Sequence, residues 1–187
     1  MALSLYTKTC AKNTAGNYNK VFLANPGDIT ALTLTTGEIS ALTVASPLFQ
    51  AVHAEIDSVN FKIEGTGGQN YFTKQTLTMK FAKKTAALMT FLNNLTTAVA
   101  CGVIAVRVDG NGVAWLSGYD ASGTDKIARP YNMIKANFDS GTKPSDAEGN
   151  FYTIELSRES EWDETPFDST LSAALLGGTA TAWVDYS

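Results

Sequence analysis

The sequence predicts a mainly β fold with one central α-helix, arranged as a two-sheet β-sandwich or small barrel. Three observations point there. The phrase Ile29-Thr-Ala-Leu-Thr-Leu34 recurs almost unchanged as Ile39-Ser-Ala-Leu-Thr-Val44 across the interruption Thr35-Thr36-Gly37-Glu38, and each copy alternates apolar side chains with Thr or Ala at the two-residue period of a strand. Further segments keep that period through most of the chain. Only between Thr85 and Gly102 does a long stretch change to the period of a helix. The 187 residues read as a single β-rich domain, long enough to bury roughly 70% of the surface the unfolded chain exposes. Residues 1–20 are expected to form an N-terminal arm or edge strand, and 177–187 a C-terminal strand or arm.

Taken in order, the opening residues read as strand and loop, and Asn25-Pro26-Gly27-Asp28 is a turn signal before the first repeat. The repeat is expected to be a hairpin with Leu32 and Leu34 facing Leu42 and Val44 on one side, and with Thr and Ala on the other. An outer face so mild suits contact with another sheet or another subunit better than bulk water. From Ile56 to Glu64, Val59, Phe61 and Ile63 alternate with polar residues, and Gly65-Thr-Gly-Gly68 ends the run. Leu77, Met79 and Phe81 repeat the pattern between Lys74 and Phe81. Thr85 can then cap a helix whose stripe is Leu88, Leu92, Leu95 and Val99, widened by Phe91.

Val103 to Val108 resumes as strand and turns through Asp109-Gly-Asn-Gly112 into Val113–Tyr119, with Val113, Trp115 and Tyr119 expected on the apolar face. Ile134, Ala136 and Phe138 mark one more strand, and Tyr152, Ile154 and Leu156 another. Between them, Asp139–Asn150 is a run of turn formers with no apolar anchor, of the kind reserved for motion or for a partner. A short helix is expected from near Asp168, presenting Leu171, Ala174 and Leu175 and stopped by Gly177-Gly178. Trp183, Val184 and Tyr186 belong to a tail that either closes the sheet at home or reaches a neighbour.

The net charge of −4 speaks against a protein that works by neutralising phosphates. No segment approaches the length needed to cross a bilayer, and the N-terminus lacks the basic and apolar regions of a secretion signal, so the product is expected to stay in the cytoplasm that makes it. Cys10 and Cys101 share no short spacing and suggest neither a disulfide framework nor a metal knuckle. Lys74, Lys80, Lys83 and Lys84 form a basic stretch, whereas Glu155, Glu159, Glu161, Asp163, Glu164 and Asp168 crowd an acidic one relieved only by Arg158. They read either as two solvated faces or as poles that orient copies of the chain head against tail.

Chemistry is sparsely provided. The one histidine, His53, stands without a nucleophile signature and reads as structural. Paired carboxylates of the 155–168 stretch lack an announced sugar cleft. Asp109-Gly-Asn111 and Asp120–Asp125 offer oxygen ligands, yet neither has the spacing of a calcium loop. Gly65-Thr-Gly-Gly68 lacks the lysine and helix of a phosphate loop. Trp115, Trp162 and Trp183, with Tyr71 and Tyr119, could stack on sugars, although Trp115 fits core packing better. Asn94-Leu-Thr96 is a glycosylation triplet inside the expected helix. No catalytic residue, metal or cofactor is expected.

The order of Gln75-Thr-Leu-Thr-Met-Lys-Phe81, a central helix, Cys101-Gly-Val-Ile-Ala-Val-Arg-Val108, Trp115-Leu-Ser-Gly-Tyr119, Asp139-Ser-Gly141 and Asn150-Phe-Tyr-Thr-Ile-Glu-Leu156 resembles virion structural proteins of tailed phages and prophages of the Bacteroidetes type. Within that group it is most similar to tail-tube subunits, over roughly residues 20–168. The resemblance implies a flanked β-sandwich that assembles into stacked rings such as hexamers, with the sheets of neighbours joined around a passage for DNA. It implies as partners further copies of itself and other tail proteins, with DNA only as cargo, no membrane, and a place in the virion tail. A net negative chain suits such a passage, where DNA must slide. The candidate subunit contacts are Leu32, Leu34, Leu42 and Val44 of the hairpin, Asp139, Lys143, Asp146 and Glu148 of the polar loop, and Trp183 and Tyr186 of the tail. Another tail or head–tail connector component is the alternative within that class, and a carbohydrate-binding β-sandwich module the alternative outside it.

Overall fold

The computed structural model describes residues 16–44, 49–66, 72–82, 84–122, 125–140, 151–161, 163–176 and 183–184. The first half holds β1 Asn17–Ala24, β2 Ile29–Thr35, β3 Glu38–Val44, β4 Phe49–His53, β5 Asn60–Thr66, β6 Phe72–Ala82 and the helix α1 Ala86–Cys101. The second holds β7 Ile104–Asp109, β8 Ala114–Ser117, β9 Tyr119–Ser122, β10 Asp125–Ala128, β11 Met133–Asp139, β12 Phe151–Ser160, β13 Thr165–Pro166, the helix α2 Ser169–Leu176 and β14 Trp183–Val184. The fold is mainly β and sandwich-like, and the described strands form no closed barrel. A second, short helix joins the central one.

Two sheets make the sandwich. One has six strands in the order β13-β8-β7-β1-β4-β14, and the other has four in the order β11-β12-β6-β5. Every pairing in them is antiparallel except that of β14 with β4. The tail strand therefore closes the sheet at home, with Trp183 beside Phe49. Residues 17–20, expected in an arm or edge strand, instead open β1, which lies inside the sheet between β7 and β4. The phrase Val21-Phe-Leu-Ala24 explains why, since a run apolar at every position fits a strand covered on both faces.

The two faces of the six-stranded sheet bury different partners. Val21, Leu23, Val52 and Ala105 pack towards the four-stranded sheet, meeting Leu77, Met79, Phe81, Tyr152, Ile154 and Leu156, with Leu92, Leu95 and Val99 of α1 against the same core. Phe22, Ile104, Val106, Ala114 and Leu116 face the other way, onto Ile29, Leu32 and Ile39 of the hairpin and Leu175 of α2. The helix follows its sequence signals. The Thr85 side chain accepts from the Leu88 N–H at 3.1 Å, and Gly102 at φ +94° ends the last turn, its N–H donating to the Val99 carbonyl. In α2, Asp168 caps the start by accepting from the Leu171 N–H at 2.8 Å.

Three expected details are corrected. In the hairpin, Leu32 does face Leu42, but Leu34 faces Ile39 and Val44 faces Ile29, because irregularities interrupt the register on both sides of Leu32. Thr36 and Gly37 alone form its turn, at φ +53° and +88°. Val113–Tyr119 is not one strand, since Gly118 at φ +91° breaks it and sends Tyr119 into a separate hairpin of β9 with β10. Ala114 and Leu116 are the buried residues of β8, which turns Trp115 to the opposite face from the one its alternation suggested. Finally, Ile56 sits in a turn and is 79% exposed, so β5 starts only at Asn60.

Candidate functional site

The four-stranded sheet presents an outward face and two free-standing edges. Along β6 the odd positions from Thr73 to Phe81 are buried, and the even positions Lys74, Thr76, Thr78 and Lys80 point away from the core. On β12 the even positions are buried, so Thr153, Glu155, Ser157 and Glu159 share that outward face. Cross-strand register adds Asn60, Lys62 and Glu64 from β5, and the exposed Met133 with Lys135, Asn137 and Asp139 from β11. The result is a polar surface carrying Lys62, Lys74, Lys80 and Lys135 against Glu64, Asp139, Glu155 and Glu159. The chain is net negative, but these formal charges cancel. The acidic and basic stretches of the sequence are thus partly interleaved here, with Glu159 opposite Lys74.

The edges are β5 and β11, and among the described residues no strand pairs with the outer side of either. Natural edges are blunted by proline, bulges, shortness, charged side chains or a covering helix or loop. Here each is seven residues long, contains no proline, and pairs with its inner neighbour without a register shift. Outward charge on β5 is one lysine and one glutamate, Lys62 and Glu64, joined at 2.6 Å, and on β11 one lysine and one aspartate. The Lys62 contact holds the Glu64 carboxyl below its ordinary range. Towards the core side, Ile63 is 38% and Phe138 39% exposed, so both rims leave apolar surface uncovered. Phe138 stacks on Tyr152 with ring centres 4.6 Å apart.

The core between the sheets ends in a polar cluster. Arg107 donates through Nε to Glu164 Oε1 at 3.1 Å, through Nη2 to Oε2, and through Nη1 to Asn17 Oδ1 at 2.6 Å. Its guanidinium also lies over Phe61 and Trp115, 4.5 Å and 5.7 Å from the ring centres. Burial pushes the Glu164 carboxyl above its usual range, against the pull of Arg107. Tyr131, fully buried, donates to Ser117 Oγ at 3.0 Å. Burial and the Glu164 charge drive its phenol well above the ordinary value. Arg158, also buried, donates to Gln75 Oε1 at 2.7 Å and to the Arg129 carbonyl at 2.8 Å. Of the acidic stretch, Glu164 therefore belongs to the interior, and so does its basic neighbour Arg158.

The predicted contact residues scatter. Leu32 is 2% exposed within the chain's own core, which removes it as a subunit contact. Leu34 and Leu42 are half-buried on the same core, and Val44 pairs with Ile29 in the hairpin. Asp139 is exposed at the end of β11, opposite Phe151. Lys143, Asp146, Glu148 and Tyr186 lie outside the described residues, as do Lys83, Cys10, Tyr71 and Trp162. His53 is exposed at the end of β4, opposite Lys20. Asp109 serves its turn, accepting from the N–H groups of Asn111 and Val113 and from Trp115 Nε1. Among the described residues no three His, Cys, Asp or Glu side chains gather as a metal ion would require. Nor is any helix there long and apolar enough to cross a membrane.

The edges β5 and β11 are what the sequence reading missed. Alternation revealed the strands, but which strand lies outermost depends on pairing across the whole chain. The signal available was Ile134–Phe138, whose apolar residues are small or split by Lys135 and Asn137, unlike the dense runs of β1 and β7. No protein-family model, no curated protein and no solved structure matches this chain.

Proposed function

We propose that the protein is a non-enzymatic structural subunit that assembles with copies of itself, in its sharpest form a subunit of a phage tail tube built from stacked rings. The observation that carries this reading is the four-stranded sheet whose charge-balanced edge strands β5 and β11 have no strand on their outer side among the described residues. A strand edge of seven residues exposes a row of N–H and C=O groups that a second strand satisfies, and a subunit with two such edges can be joined on both sides. A heterologous contact of that kind closes into a ring when its rotation allows. The outward face of the sheet, with threonine, serine and cancelling charges, would suit a passage through which DNA moves without sticking. Another tail or connector component shares the ring but would not stack without limit.

Negative-stain images of the concentrated protein test the reading. Rings or hollow rods are expected, with native mass spectrometry showing a growing closed oligomer as concentration rises. A monomer that persists to millimolar concentration overturns it.

A further inference from the structure

Resting on that reading, we infer that β5 of one copy pairs antiparallel with β11 of the next, in the register that sets Asn60 opposite Asp139 and Thr66 opposite Met133. The direction follows from strand number. Four antiparallel strands leave β5 running opposite to β11, so carrying the sheet sideways onto a second copy brings the two edges together antiparallel. The alternation then continues across the seam, as a closed sheet requires.

Register follows from pleat and charge. Side chains alternate in facing, so only every second register keeps core residues together; a one-residue slip would turn Ile63 and Phe138 to opposite sides. Among the allowed registers, full overlap pairs all seven residues of each strand. It sets Glu64 against Lys135, Lys62 against Asn137 and Phe61 against Phe138, with the exposed Ile63 diagonal to the exposed Phe138. Cross-strand pairs of these kinds stabilise a sheet and like charges oppose it. Sliding two residues one way puts Lys62 against Lys135. Sliding two the other way puts Lys62 against Asp139, but removes Asn60 and Phe61 from pairing with β11. Full overlap alone combines every backbone pair, an opposite-charge pair and a covered apolar rim.

Disulfide trapping in the full chain, with Cys10→Ser and Cys101→Ser, reads the register. Cysteines at directly opposed positions lie within bonding reach. The double variant Lys62→Cys/Asn137→Cys should oxidise to a ladder of covalent oligomers at least tenfold more abundant than that from Lys62→Cys/Lys135→Cys, which lies two residues out of register. An equal or reversed yield overturns the register, as does the absence of any ladder while the wild type still forms rings. A wild type that never forms rings overturns the assembly reading itself. A second readout uses charge. Glu64→Lys and Lys135→Glu should each raise the concentration needed for assembly, and the two together should bring it back near the wild-type value. Failure of the pair to recover, with each single variant folded by circular dichroism, counts against the pairing of Glu64 with Lys135.

Discussion

Arg107 and Glu164 meet through two parallel hydrogen bonds in the interior, where Arg107 from β7 and Glu164 just before β13 are held next to Asn17, Phe61 and Trp115. The carboxyl is raised by burial despite this partner, which means that desolvation outweighs the attraction gained. Removing one member of such a pair strands the other, at a cost of about 3–5 kcal/mol, whereas replacing both by apolar residues of similar volume is often neutral or better. Glu164→Ala is therefore expected to destabilise by about that amount in urea unfolding, and Arg107→Met with Glu164→Leu to recover most of the loss. A double variant no better than the single one would show that the pair stabilises the fold outright.

Tyr131 makes the alkaline limit of the fold predictable. Its phenol is raised by burial first and by the Glu164 charge second, while the Ser117 contact, Arg158 and Arg107 act the other way. Above about pH 10 an unfolded chain releases this proton and the fold keeps it. The unfolded state then binds fewer protons, so stability falls as pH rises, by up to about 1.4 kcal/mol per pH unit from this group. Comparing unfolding free energies between pH 9 and 11, the wild type should fall more steeply than Tyr131→Phe. Parallel slopes would refute the assignment.

Assembly should yield to edge charge without loss of the fold. Glu64→Lys together with Asn137→Lys leaves each edge strand with a net positive charge and sets the new lysines against Lys135 and Lys62 in the proposed pairing, lysine being a device by which natural edges avoid pairing. Both residues are exposed on the outward face, where substitutions usually change stability by less than about 0.5 kcal/mol. Light scattering of the variant should report a monomer at concentrations where the wild type assembles, with an unchanged thermal midpoint.

Period was the part of this fold that the sequence made legible. The stripe Leu92, Leu95 and Val99, the inward set Leu77, Met79 and Phe81, and the capping residues Thr85 and Asp168 all stand where alternation and capping chemistry place them. What local pattern could not supply was partnership. Leu32 read as a surface contact because nothing in residues 29–44 tells that β7 and α2 lie beneath them. Trp115 reads as part of an apolar face because it alternates with Val113 and Tyr119, but it lies beside Arg107, its partner in register, at the polar end of the core. Arg158 and Glu164 looked like members of one solvated stretch. Their burial depends on Gln75 and Arg107, more than fifty positions away in the chain.

Gly118 is the point at which a strand expected to continue is forced to turn. It adopts φ +91°, and a Cβ there would sit 2.9 Å from Ile104 Cγ2 and 3.0 Å from Ile104 Cα. The second contact is with backbone, which cannot swing aside. Left-handed backbone costs an L-residue about 1–2 kcal/mol, and overpacking about 1–3 more. Gly118→Ala should therefore lower stability by about 2–4 kcal/mol in denaturant titration, and a loss under about 1 kcal/mol would mean that the β8–β9 corner relaxes freely.

The hairpin turn offers the opposite experiment, a substitution that helps. Thr36 and Gly37 both have positive φ, at +53° and +88°, the pattern of a two-residue turn matched to strand twist. Glycine tolerates it, but a β-branched threonine does not, and the Thr36 hydroxyl answers only locally by donating to the Thr35 carbonyl at 2.7 Å. Asparagine is the residue most at ease there before glycine. Its side chain would point into solvent, because Thr36 is exposed, so no packing is lost in the exchange. Thr36→Asn should raise the unfolding free energy by about 0.5–1 kcal/mol, and the gain should vanish if Gly37→Ala is added, because the second turn position then carries the strain instead. A Thr36→Asn protein no more stable than the wild type would mean that the β2–β3 turn is held by the contacts of Ile39 with Phe167 and α2 rather than by its own backbone preference.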